Sequence, residues 1–295
     1  MKVIRSKVIG YCFGVANTID KAEQSIEFSR EKNIPCYSIG SIIHNKDVVK
    51  HFEDLGMVTT SGPQGKEPGV ALVRAHGIPD ALRREYEDAG FSLVDSTCPI
   101  VAKGADTIRN AASKGFRTII IGVSGHAETV GLQGVETEKG KVVPSILLCS
   151  VRDAVDLVDS GIIDPDEKIV VVVQTTFPES GFQQIREVLK GAFRKIRFSN
   201  KPCGATAKRQ KAAIDMAGEC DAVIVIGGRD SENTWNLARV VEKQTGKPVF
   251  CIENSDDLNG DLIKRLSGFP TVGICSGSST PTATIKKVEE LLERL

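Results

Sequence analysis

Long apolar runs, a charge imbalance, paired cysteines and glycine-rich nucleotide loops are all missing from this chain. No run approaches the roughly 18 apolar residues of a membrane helix, which argues against a membrane partner. Thirty-eight Lys and Arg balance 38 Asp and Glu, so no global field favours nucleic acid or an anionic surface. Met1 to Gly10 alternates charge with short apolar pairs and has no continuous h-region, which predicts a cytoplasmic protein. No CxxC pair occurs, so zinc fingers, thioredoxin-type motifs and the compact ferredoxin spacing lack support. Gly62 to Lys66 lacks Walker spacing and its Ser/Thr, and no strand runs into GxGxxG, so nucleotide binding has no positive sign. What is present is the profile of a folded chain: 295 residues, 41% hydrophobic and 26% charged, enough for two or three domains.

Short β-branched runs recur, each followed by a polar loop and an amphipathic stretch. The clear strands are Cys36–Ser41, Val70–Arg74, Thr118–Val123, Lys168–Val173, Ala222–Ile226 and Thr271–Cys275. Val3–Ile9, Ser92–Asp95 and Ile196–Ser199 are weaker. Val101–Ser113, Gln183–Phe193, Asn236–Thr245 and Thr284–Leu295 read as helices. Alternation of this kind predicts an α/β protein with mostly parallel sheets. Three strands end in a loop with a cysteine before a helix, at Cys12, Cys98 and Cys203. Two strands with polar loops follow each cysteine, predicting three small α/β modules of pseudo-threefold arrangement around a central cleft. Their bounds are 13–98, 99–203 and 204–281 with 1–12, followed by a C-terminal helix over 282–295. Ligands of parallel α/β sheets sit at the carboxyl ends of the strands, where these cysteines and loops fall.

Eight cysteines in a reducing compartment are core fillers, catalytic thiols or metal ligands. Cys36, Cys149, Cys251 and Cys275 lie in or against apolar strand runs, and Cys220 just precedes one, so these five read as small hydrophobes. Cys12, Cys98 and Cys203 stand at helix starts, which favour the thiolate needed for ligation or attack. Three thiolates leave one position open, on a 4Fe–4S cluster or on zinc, and spacing does not separate the two. Of four histidines, His44, His76 and His126 fall in strand-end loops and suit an anion, whereas His51 reads as a surface residue. Ser231, Glu232, Asn233 and Ser279 stand in loops before helices, where hydroxyls and backbone cradle anions or merely cap. Glu128 is a general acid if burial raises its pKa, or a first-turn carboxylate otherwise. Arg209 and Gln210 either approach the cluster or anion or lie on a solvated face. Gln174, Thr175 and Thr176 end an apolar strand abruptly with polar groups.

These motifs, in this order from Val8 to Pro281, resemble the LytB family of 4-hydroxy-3-methylbut-2-enyl diphosphate reductases. The carriers are Gly10 to Val15 around Cys12, His44-Asn45 with Val48, Arg74 to Gly77, Asp95 to Pro99, and Gly125 to Glu128. Gln174 to Thr176, Cys203 to Thr206 with Arg209-Gln210, Ser231 to Thr234 and Gly277 to Pro281 complete the set. The resemblance implies a trefoil around a 4Fe–4S cluster held by Cys12, Cys98 and Cys203. It implies a diphosphate held by His44, His76, His126, Ser231, Asn233 and Ser279, with Glu128 and Thr175 delivering protons. Electrons would come singly from a ferredoxin or flavodoxin, in the last step of the non-mevalonate isoprenoid pathway. Ala127 departs from the family's usual proline, which loosens the expected preorganisation of Glu128. A zinc-dependent phosphohydrolase and a non-enzymatic iron–sulfur sensor are the alternatives that the residues alone leave open.

Overall fold

A computed structural model describes residues 1–295. The chain runs β1 (Lys2–Arg5), α1 (Phe13–Lys32), β2 (Cys36–Ile39), α2 (Lys46–Asp54), β3 (Met57–Thr60), β4 (Val70–Val73), α3 (Asp80–Asp88), β5 (Ser92–Asp95). It continues α4 (Pro99–Ala112), β6 (Arg117–Ile121), α5 (Ala127–Gln133), β7 (Ser145–Leu148), α6 (Val151–Asp159), β8 (Ile169–Val173), α7 (Glu179–Ala192) and β9 (Ile196–Phe198). The last third holds α8 (Gly204–Ala217), β10 (Ala222–Ile226), α9 (Glu232–Thr245), β11 (Val249–Ile252), α10 (Gly260–Leu266), β12 (Thr271–Ser276) and α11 (Thr282–Glu293). No helix is long and apolar enough to cross a membrane.

The strands make three four-stranded sheets of one pattern, β1-β12-β10-β11, β5-β4-β2-β3 and β9-β8-β6-β7. Every named pair is parallel. The inner strands β8 (Ile-Val-Val-Val-Val) and β10 (Ala-Val-Ile-Val-Ile) are buried along their whole length. That is the composition a parallel strand needs when helices cover both faces. Outer strands β3, β7 and β11 carry exposed or half-buried residues.

The chain forms two units, residues 1–16, 43–55 and 204–295, and residues 17–42 and 56–203. The first unit is built on the β1-β12-β10-β11 sheet. Ile224, Ile226, Val272 and Ile274 pack on one face against Ile285, Val288 and Leu292 of α11. Val223, Val225 and Cys275 pack on the other against α8 and α9. In the second unit, Ile39, Ala71 and Val73 pack against Tyr86 and Phe91. Ile119, Ile121, Val171 and Val173 pack against Phe182, Ile185 and Leu189. Two sheets of this unit are joined by a polar knot. Asp80 accepts from Arg109 and from the Glu136 N–H, and Glu136 accepts both arms of Arg84.

Residues 6–9, read as the end of the first strand, lie outside β1, which stops at Arg5. Helices α4, α7, α9 and α11 begin earlier than their apolar period does; α9, for instance, starts at the polar Glu232 behind the Ser231 cap. Ile224 is fully buried, and Ile224→Ala removes its side chain from a centre the helices cannot refill. A loss of about 2–5 kcal/mol in denaturant unfolding of the first unit is expected.

Candidate functional site

The edge strands β1, β5 and β9 are each followed by a serine still bound to the inner neighbour. Ser6, Ser96 and Ser199 donate their N–H to Ile274 O (2.9 Å), Val73 O (2.9 Å) and Val171 O (3.0 Å). The chain then leaves the sheet and reaches a cysteine whose N–H returns to the loop after that same neighbour. Cys12 donates to Ser278 O (3.1 Å), Cys98 to Ala75 O (2.9 Å) and Cys203 to Thr175 O (2.7 Å). The next residues, Phe13, Pro99 and Gly204, open helices α1, α4 and α8. Pro99 suits that place because its missing N–H would have no helical partner there.

No disulfide joins any of the eight cysteines, and Cys12, Cys98 and Cys203 are the half-buried ones. Cys36, Cys220 and Cys275 are buried core residues as expected, and burial pushes the Cys36 thiol up to about 11 and that of Cys275 to about 12. The same expectation fails for Cys149 and Cys251, which are exposed. Cys149 follows β7 and Cys251 lies on β11, both outer strands, so no further strand covers them.

In the second unit Glu128, on the first turn of α5, is 1% exposed. Burial pushes its carboxyl up to about 7, against the pull of two hydrogen bonds from Thr175. The Thr175 N–H donates to Oε1 at 2.8 Å and its hydroxyl to Oε2 at 2.6 Å. His126 caps the same helix, accepting the Glu128 N–H on Nδ1 at 3.2 Å, so Nε2 carries the ring proton. Its ring meets that of His76 edge-on, 5.4 Å between centroids. Ala127 occupies the first helical position, where alanine and proline both fit. The Thr175 bonds fix Glu128 without the missing proline. Gln174 is buried, accepts from Val123 N–H (2.7 Å) and the Thr129 hydroxyl (3.1 Å), and donates to Thr176 (2.6 Å). The polar trio that ends β8 thus ties the β6 and β8 loops together.

In the first unit Ser231 caps α9, and Asn233 donates to the Ser278 hydroxyl at 2.8 Å. Ser279 donates its hydroxyl to the His44 carbonyl at 3.2 Å. Gly228 passes close to the same carbonyl: a Cβ there would stand 2.4 Å from it, so only glycine admits the approach. Glu232 is exposed on the first turn of α9, beside but not among these inward groups. His51 is exposed. Arg209 does not lie on a solvated face. It is 6% exposed and donates to Gly10 O (2.7 Å) and Ser276 O (3.0 Å). Sequence reasoning missed Gly228 and Asn200. Asn200 accepts the Val173 N–H (2.8 Å) and donates to its carbonyl (2.7 Å), standing in for one more residue of strand. Before Lys201-Pro202 an asparagine reads as a turn residue, so only the fold reveals this bond.

The first unit offers the half-buried Cys12 with hydroxyl, amide and imidazole groups, and the second offers the half-buried Cys98 and Cys203, a buried acid near its titration range and two imidazoles. Thiols of this kind bind soft metals, and the hydroxyl, amide and imidazole groups bind anions. A 4-hydroxy-3-methylbut-2-enyl diphosphate reductase of Caldanaerobacter subterraneus subsp. tengcongensis is 32% identical over 298 residues, covering 100% of this chain and 98% of the relative. A solved (E)-4-hydroxy-3-methyl-but-2-enyl diphosphate reductase, described as the terminal enzyme of the non-mevalonate pathway, matches at TM-score 0.73 and 27% identity over 100% of both chains. The E-1-hydroxy-2-methyl-but-2-enyl-4-diphosphate reductase of Plasmodium falciparum shares the fold, at TM-score 0.85 and 24% identity over 100% of this chain and 87% of its own. The model of the LytB protein family matches residues 3–293, and with a fold and relatives that agree from end to end, the chain belongs to that family.

Proposed function

We propose that this protein reduces 4-hydroxy-3-methylbut-2-enyl diphosphate, taking up two electrons and two protons, releasing the allylic hydroxyl as water and forming isopentenyl and dimethylallyl diphosphate. Beside the family membership, the carrying observation is the buried Glu128, held by Thr175 and standing two residues after His126, the cap of helix α5. One sheet per segment supports modules at 13–98, 99–203 and 204–281 with 1–12. Through Ile285, Val288 and Leu292, residues 282–295 join the last of them.

Cys12, Cys98 and Cys203 are the proposed ligands of a 4Fe–4S cluster. Their chemistry fits it: they are the three thiols neither sunk in apolar core nor left on the surface. When bound, a three-thiolate cluster supplies electrons one at a time and an open iron that acts as a Lewis acid on a substrate oxygen. An external one-electron donor of the ferredoxin or flavodoxin kind is proposed as their source. A reducing, cytoplasmic setting is proposed, since cysteines that hold a cluster must stay as thiols.

Glu128 holds the proton. Below about pH 7 its carboxyl is protonated, and the hydroxyl of Thr175 then accepts from it while turning its own hydrogen outward. A proton can pass from Glu128 through Thr175 Oγ1 to the departing hydroxyl. For the diphosphate, Ser231, Asn233 and Ser279 in the first unit, with His44 of the same unit, offer hydroxyl, amide and imidazole donors. His76 and the Nε2–H of His126 are the donors proposed in the second. Glu232 carries the wrong charge for a side-chain contact and is assigned a backbone role at the start of α9.

Glu128→Gln is expected to retain iron and sulfide while turnover falls about 100-fold, the usual scale of acid–base catalysis. Unchanged turnover of reduced viologen in that variant would remove Glu128 from the reaction. In the unmodified enzyme the reduction rate is expected to fall as pH rises through about 7, because the raised pKa means the proton is lost there. That fall should be absent from the residual rate of Glu128→Gln. Cys98→Ser should not hold a full complement of iron and sulfide, and stoichiometric retention would contradict the ligand assignment.

A further inference from the structure

The three cysteine tethers differ in length, and each has a side-chain clamp to match. Between Ser96 and Cys98 there is only Thr97, whose N–H is held by the Asp95 carboxylate at 2.8 Å. Between Ser199 and Cys203 the clamp is Asn200, bound twice to Val173. The longest tether runs from Ser6 to Cys12, and a longer free segment costs more entropy to fix. Here the Ser276 hydroxyl accepts the Gly10 N–H at 2.9 Å. Arg209 reaches from α8 and joins Gly10 O to Ser276 O through its two terminal nitrogens. Cys12 N–H then lands on Ser278 O. The clamp lies wholly within the first unit.

Asparagine or aspartate would suffice to hold a loop. A guanidinium brings a charge as well, and Arg209 is the only Lys or Arg in the chain that is buried. It makes no ion pair with any carboxylate. Burial lowers the pKa of its guanidinium, and the groups that oppose that shift are Cys12 and Cys275. Cys275 is buried in apolar core with its thiol pushed up to about 12, so it stays neutral. A buried cation without a carboxylate is costly, and the loop that its fork holds at Gly10 leads two residues on to Cys12, a proposed ligand sulfur.

We propose that Arg209 is a positioning residue for Cys12: its fork sets the path of the Gly10–Cys12 loop, and its charge compensates the Cys12 thiolate when that sulfur binds iron. The inference rests on the cluster reading given above. A cation beside a ligand sulfur stabilises the reduced, more negative centre, so Arg209 raises its reduction potential.

The full chain, loaded anaerobically with iron and sulfide, is compared with Arg209→Gln, Arg209→Lys and Ser276→Ala. Potential is read by redox titration followed by electron paramagnetic resonance, and retention by the rate of iron loss to a chelator. Arg209→Gln should shift the potential downward and lose iron faster, about 10–100-fold, as for other groups that orient metal ligands. Arg209→Lys keeps the charge without the fork and should restore the potential more than the retention. Ser276→Ala loosens only the loop, so it should lose iron faster at unchanged potential, and it carries the test if Arg209→Gln does not fold. Potentials and iron loss identical to the unmodified protein would overturn the role of Arg209 and leave the cluster reading intact. An unmodified protein that takes up no cluster would overturn both.

Discussion

Everything placed at the strand ends depends on one parallel ladder being extended past its last strand residue. In each sheet one edge strand, β1, β5 or β9, gives a serine N–H and then, after a detour, a cysteine N–H to its inner neighbour and that neighbour's loop. A backbone amide buried without a partner is costly, so these bonds are obligatory. They locate Cys12, Cys98 and Cys203 to within a hydrogen bond's tolerance before any side chain contributes. The helices that follow then start from fixed points, and the sheets behind them are too densely packed to let those points drift.

Legibility in the sequence followed burial. Strands β8 and β10 were plain because runs of Ile and Val have no other ready explanation, and burial on both faces requires them. Strand β3, Met-Val-Thr-Thr with two exposed residues, was not singled out, and β7 and β11 were noticed only as apolar runs beside Cys149 and Cys251. All three are outer strands, whose pairing partner rather than composition makes them strands. The error over Cys149 and Cys251 has the same root: an apolar neighbourhood along the chain says nothing about which edge of a sheet is left open.

The polar residues divided in a similar way. Cysteines, histidines and the Gln174–Thr176 trio stood out because they interrupt apolar patterns. Whether Glu128 is an acid or a helix-start carboxylate depends on its 1% exposure, a property of how α5 packs and not of the residues beside it. Arg209 was equally ambiguous, since an arginine on a helix reads the same whether it faces water or the underside of a loop. Gly228 and Asn200 carry no chemistry of their own and gain meaning only from the carbonyl each one meets.

Thr175 binds in two directions at once. Its N–H and hydroxyl hold both oxygens of Glu128, and its carbonyl receives the N–H of Cys203. A single peptide unit and side chain therefore stand between the acid and a thiol otherwise remote in sequence. When Glu128 gains or loses its proton, the Thr175 hydroxyl must reorient, and the peptide that follows it is the one anchoring Cys203. The two oxygens of the acid and the backbone of Cys203 are thus held from one residue. Threonine there is constrained twice over: a substitution that keeps the hydroxyl but shifts the backbone disturbs the thiol, and one that keeps the backbone but drops the hydroxyl disturbs the acid.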